Sequence, residues 1–133
     1  MYLLDTNVCI RVLNGSSAAL VRRLRQHSPA EIRLCSIVLA ELYYGARKSR
    51  RVAENLSSVG AFARPFRSLS FDDACAEVYG GIRAELEGRG QPIGPNDLMI
   101  AAVARCHDLT LVTRNLSEFT RVVGLKVVSW ETA

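Results

Sequence analysis

Histidine is scarce in this chain: only His27 and His107 occur, and neither sits in a supporting motif. A metal-free ribonuclease that moves protons through a histidine pair is therefore not expected. Both histidines fall near predicted helix C-termini, where the helix dipole favours a cation. The four cysteines, Cys9, Cys35, Cys75 and Cys106, are scattered and form no CxxC. Each has apolar neighbours, so buried thiols are expected ahead of disulfides or zinc. Aromatic residues are also few, with four Tyr, four Phe and one Trp, and no stacking platform for single-stranded bases is evident. Apolar runs fall far short of the ~20 residues that a membrane span needs. The N-terminal Tyr2-Leu3-Leu4 meets Asp5 at once and reads as a buried strand, not a signal peptide. A soluble, cytoplasmic protein is expected.

Lysine is nearly absent too. Fifteen of the 17 basic residues are arginine, the side chain that forks onto phosphate, and the net charge is +4. The basic balance favours a polyanionic partner. The 133 residues fit one domain, 1–133, and 49% hydrophobic content is ample for a core. No repeat or low-complexity tract interrupts the pattern.

Short apolar segments at Tyr2-Leu3-Leu4, Ile32 to Cys35, Phe66 to Leu69, Leu109 to Thr113 and Lys126 to Val128 read as strands. Helical patterns separate them. Thr6 to Asn14 is one, and Ser16 or Ser17 caps a second that runs to His27. Ser36 is the expected N-cap of a helix to Lys48, and another spans about Arg50 to Ala63. Ser70-Phe71-Asp72-Asp73 resembles a capping box opening a helix to Glu87, and Pro95 suits the first turn of a helix through His107. Strands alternating with helices predict an α/β fold, a central parallel sheet of four to five short strands flanked by helices. In such sheets ligands bind beyond the C-terminal strand ends.

Four carboxylates lie where that edge forms: Asp5, Glu41, Asp97 and Glu118. Brought together, they would repel one another, and raised pKa values or a bound cation must relieve the repulsion. Clustered oxygen donors suit Mg²⁺ or Mn²⁺, the usual metals of phosphodiester chemistry. With those four acids set aside, 17 basic residues face nine acidic ones, a net +8 for the rest of the molecule. Each acid also has an ordinary reading. Asp5 could cap the next helix, although Thr6 is itself a capable cap and leaves Asp5 for other work. Glu41 could be a surface residue, but Gly45 one turn on leaves room for a close approach. Asp97 is favoured in a first turn by the dipole, and Glu118 could back-bond to Asn115 in a capping box.

Taken with their flanks, the acids resemble the PIN-domain family and, within it, the VapC toxins of bacterial toxin–antitoxin pairs. The resemblance runs essentially end to end. It rests on Leu3-Leu4-Asp5-Thr6-Asn7, on Ser36 to Leu42 followed by Gly45, and on Gly94-Pro95-Asn96-Asp97 with Ile100-Ala101-Ala102. Leu111 to Asn115 with Glu118-Phe119 completes it, and Gly124-Leu125 to Trp130 looks like a VapC tail. The resemblance implies an Mg²⁺- or Mn²⁺-dependent endoribonuclease. It places Asp5, Glu41, Asp97 and Glu118 in the catalytic, metal-holding set, with Thr6 and Asn115 orienting the acids and the water. Aspartate is usual where Glu118 stands. The resemblance also implies an RNA substrate, tRNA in similar toxins, a VapB-type antitoxin, and a homodimer within a larger assembly with that antitoxin.

The competing readings are weaker. A phosphoaspartate enzyme would place a second acid where Asn7 stands and would need a suitably placed lysine; the only lysines are Lys48 and Lys126. A non-catalytic PIN-like RNA-binding module would be marked by loss of an acid, and all four positions are acidic. A DNA-directed 5′-nuclease would need helical elements for which this chain has no room. Arg47, Lys48, Arg50 and Arg51 form a candidate phosphate track, with Arg114 a further candidate. Val8 to Leu13 and Leu39 to Tyr44 are candidate walls of an antitoxin groove.

Overall fold

The computed structural model describes residues 1–131. Five short strands, β1 (Tyr2–Leu4), β2 (Ile32–Cys35), β3 (Arg67–Leu69), β4 (Thr110–Val112) and β5 (Lys126–Val128), form one parallel sheet in the order β3-β2-β1-β4-β5. Leu3 and Leu4, Leu34 and Cys35, and Leu111 and Val112 are fully buried. Near-continuous apolar runs are what a covered parallel sheet requires, because neither face of its central strands meets water. The expected fold class holds.

Seven helices flank the sheet: α1 (Thr6–Leu13), α2 (Ala18–Arg25), α3 (Ser36–Arg47), α4 (Val52–Ala63), α5 (Asp73–Gly88), α6 (Pro95–Cys106) and α7 (Leu116–Phe119). Among the described residues no helix is long and apolar enough to cross a membrane. The chain runs outward from β1 to β3 and then crosses back to lay β4 on the other side of β1. That reversal makes the β1–β4 junction the topological switch point, where doubly wound sheets leave a crevice for ligands. Leu3 pairs with Leu111 and Leu4 with Val112. Asp5 and Thr113 therefore emerge side by side at the mouth of the crevice.

Several local expectations need correcting. Ser36 is not a cap: it is the first residue of α3, and its hydroxyl accepts the Phe71 N–H at 3.1 Å. The α5 cap is Asp72, whose carboxylate accepts the Cys75 N–H at 3.0 Å, and not Ser70. Asp5 does cap α1, accepting the Thr6 N–H at 2.8 Å. The Thr6 hydroxyl, expected to serve as that cap, turns to Glu41 instead. His27 does fall just past the C-terminus of α2, as expected, and it is also stacked on Trp130 at 4.9 Å and paired with Glu31 at 3.2 Å.

Candidate active site at the carboxyl edge of the sheet

The site is built outward from Asp5. Its residue is 4% exposed, sealed by the strand ends beneath it. One carboxylate oxygen accepts the Thr6 N–H, and the other accepts the Thr113 hydroxyl at 2.7 Å. The Thr113 hydroxyl in turn accepts the Asn115 N–H at 3.0 Å, so the turn after β4 is tied to the carboxylate after β1. Burial pushes the Asp5 carboxyl above its ordinary range, against the lowering effect of these two hydrogen bonds, and the charges of Glu41 and Glu118 add to the rise.

Glu41 projects from the second turn of α3, and one of its oxygens accepts the Thr6 hydroxyl at 2.8 Å. Thr6 thus gives its N–H to one acid and its O–H to another. Gly45, one turn further along α3, has nothing within 4 Å of where a Cβ would stand, and it keeps that side of the site open.

Glu118 on α7 binds in two directions. It accepts the side-chain amide of Asn115 and, at 3.2 Å, the N–H of Gly94, the residue that precedes α6. A capping box would instead have returned Glu118 to the Asn115 backbone; a side-chain amide takes that bond here, and Asn115 makes no side-chain cap. Glu118 thereby fixes the start of the helix that carries Asp97. Asp97 occupies the first turn of α6, and its carboxyl is raised to about 6. Burial is the largest cause, followed by the charges of Asp5, Glu118 and Glu41. Further along α6, Ala101 and Ala104 are fully buried core.

All six expected site residues therefore meet at one edge. Thr113 is the seventh. Sequence reasoning missed it because its signal, a hydroxyl immediately after a strand, means something only once β4 is known to pair with β1. The donors are hard carboxylate oxygens held by hydroxyls and amides, a set that fits Mg²⁺ or Mn²⁺ and not a soft ion. Arg114 is exposed and points elsewhere, pairing with Glu131 at 3.3 Å. Arg47, Lys48, Arg50 and Arg51 are all exposed around the end of α3.

The PIN domain model matches residues 2–125. The chain belongs to the PIN-domain family. Among its PIN-domain relatives, the tRNA(fMet)-specific endonuclease VapC of Shigella flexneri is 40% identical over 129 residues, covering 97% of each chain. Ribonuclease VapC2 of Rickettsia felis is 38% identical over 132 residues, covering 98% of each. The PIN fold also superposes on VapBC from Salmonella typhimurium bound to DNA, with a TM-score of 0.92, 38% identity and 97% coverage of each chain. VapBC2 from Rickettsia felis, bound to a promoter DNA fragment, gives 0.91 at 37% identity, covering 97% of this chain and 98% of that one.

Proposed function

We propose that this PIN domain is a VapC-type toxin: an endoribonuclease that hydrolyses RNA phosphodiesters, tRNA foremost, with an Mg²⁺ or Mn²⁺ cofactor held by Asp5 and Asp97. The observation that carries the reading is the gathering of four acids at the switch point, where Asp5 is raised and Asp97 is raised to about 6. Carboxylates in this state are held short of their preferred charge, and a divalent cation supplies what they lack, together with charge neutralisation on the phosphoryl oxygens. Full-length likeness to proteins named ribonuclease and endonuclease supports the same chemistry.

Each side chain has a definite task. Asp5 and Asp97 would be the primary oxygen donors. Thr113 and the Thr6 N–H fix the Asp5 carboxylate so that it does not rotate away. Glu41 has one oxygen on Thr6 and, among the described residues, no partner on the other, which is left to orient the attacking water and take its proton. Glu118, clamped by Asn115 and Gly94, acts through water and fixes the start of α6. Arg47, Lys48, Arg50 and Arg51 receive the RNA backbone beyond Glu41. Hydrolysis by water leaves a 5′-phosphate and a 3′-hydroxyl.

A VapB-type antitoxin is the partner. A groove of about 300 Å³ lined by Ile10, Leu13, Leu42, Ala46 and Val59 opens beside Glu41 between α1, α3 and α4. It accepts an apolar helix whose basic side chain reaches the acids. Val8 is not one of its walls, being buried in the core. Ile10, Tyr43 and Tyr44 stay exposed at 42%, 41% and 66%, a large apolar area for a partner to cover. A homodimer within a larger antitoxin assembly completes the reading, and light scattering of the toxin with and without antitoxin tests it.

Incubating antitoxin-free protein with a total tRNA pool in Mg²⁺, Mn²⁺ or EDTA, and mapping the ends, tests the activity. Metal-dependent cuts bearing 5′-phosphates are expected. Undiminished cutting in EDTA, or by a folded Asp97→Asn protein, would overturn the proposal.

A further inference from the structure

A second cluster of metal-binding side chains lies away from the acids. One donor atom each from Cys75, Cys106 and His107 lie within 4.8 Å of one another, the one such trio among the described residues. Cys75 sits in the first turn of α5, Cys106 is the last residue of α6, and His107 is the cap that follows. Cys106 is about 13 Å along α6 from Asp97, at the helix's opposite end.

The backbone around the trio is fixed from both sides. Asp72 caps α5 and anchors the Cys75 N–H. After His107 the chain turns through Asp108, a left-handed residue with φ 53°, while the Leu109 N–H returns to the Ala104 carbonyl at 2.8 Å. This is a Schellman-type stop, and it holds Cys106 and His107 in place. Cys75 is fully buried, Cys106 is half-buried and His107 is exposed. The site thus runs from a buried thiol, whose Sγ lies 3.8 Å from the Ser70 carbonyl, to an exposed imidazole by which an ion can enter.

We infer that Cys75, Cys106 and His107 form a binding site for a thiophilic divalent cation, zinc above all, which joins the start of α5 to the end of α6. Two thiolates and one imidazole are a zinc donor set, and the fourth tetrahedral position is left to water beside the Asp72 carboxylate. Donor atoms around tetrahedral zinc stand about 3.5–3.8 Å apart, so closing the trio on an ion needs side-chain movements of about 1 Å. Mg²⁺ is rejected here because sulfur is a poor ligand for a hard ion. The site is independent of the proposed nuclease chemistry.

Co²⁺ titration of the reduced, metal-stripped full chain tests the inference, because thiolate ligands give a near-ultraviolet charge-transfer band that carboxylate ligands do not. The expected result is one equivalent of that band with tetrahedral visible bands, displaced by Zn²⁺ and retained in Asp97→Asn. Cys75→Ser/Cys106→Ser should abolish it. His107→Ala, a change at an exposed position that leaves the core intact, should weaken Co²⁺ binding by about 100-fold. Absence of the band in protein whose four thiols are shown to be reduced after denaturation, or its survival in Cys75→Ser/Cys106→Ser, would overturn the inference. Equal affinity of His107→Ala and the parent would overturn the assignment of the imidazole.

Discussion

The two ends of α6 carry opposite chemistries. At its N-terminus Asp97 joins three other carboxylates in a crevice of hard oxygen donors supported by hydroxyls and amides. At its C-terminus Cys106 and His107 meet Cys75 in a soft trio that runs from a buried thiol to an exposed imidazole. The same helix dipole suits both, favouring an acid at its start and a cation at its end. The contrast is in support. Every acid except Asp97 is gripped by at least one hydrogen bond from another residue, whereas the soft trio relies on backbone stops at Asp72 and Asp108. Cleavage therefore depends on side-chain supports, and the soft site on helix termination.

The comparison breaks most sharply with single substitutions at each end. Asp97→Asn should reduce tRNA cleavage by about 10³-fold or more, since the charge stabilisation it helps to hold is worth several kcal/mol. It should leave the Co²⁺–thiolate band intact. His107→Ala should do the reverse. Initial rates and titrations on the same two proteins check this, and a matching loss in both assays from either change would mean that the two ends are not separate sites.

Thr113→Val should come next, at about 10–100-fold in rate, because it removes the donor that orients a buried metal-holding carboxylate. It also leaves Asp5 short of a buried hydrogen bond, at about 1–3 kcal/mol of stability in urea unfolding. Thr113→Ser should restore most of both. If serine rescues neither, the hydroxyl is not what Thr113 supplies. Glu118→Gln should cost less than Thr113→Val, since the amide still accepts from Gly94; a loss as deep as that of Asp97→Asn would make Glu118 a direct ligand.

The two ends were also unequally legible. The acids could be found in the sequence because each follows a strand or opens a helix, and alternating strands and helices already imply a shared edge. Strand order could not be read, because nothing local distinguishes a chain that continues outward from one that crosses back. Thr113 was missed for that reason alone. The capping assignments at Thr6, Ser36 and Ser70 failed for another reason: each has a hydroxyl able to cap, but Glu41 or Phe71 competes from a distant element, or a stronger cap stands two residues on. The soft trio was hidden by the 30 residues between Cys75 and Cys106, a spacing that only the packing of α5 along α6 closes.

The smallest effect sharpens the account of the acid end alone. In metal-free protein the Asp97 carboxyl titrates near 6 against an ordinary 3.8, so between those values the folded state binds more protons than the unfolded chain. Protonation then favours folding. Its benefit is full below about 3.8 and is lost as pH rises to about 6, and Asp5, raised in the same direction, adds to it. Stability in EDTA should therefore fall across that window and stay low above it. Exposed Glu31 and Asp72, both lowered, pull the other way, which is why the parent must be compared with Asp97→Asn and not judged alone. Asp97→Asn should show a flatter decline over pH 4–6 in urea melts, and Mg²⁺ should stabilise the parent more at pH 7 than at pH 5, where bound protons compete with it. Parallel pH profiles for the two proteins would show that the proton is taken up elsewhere in the acid cluster.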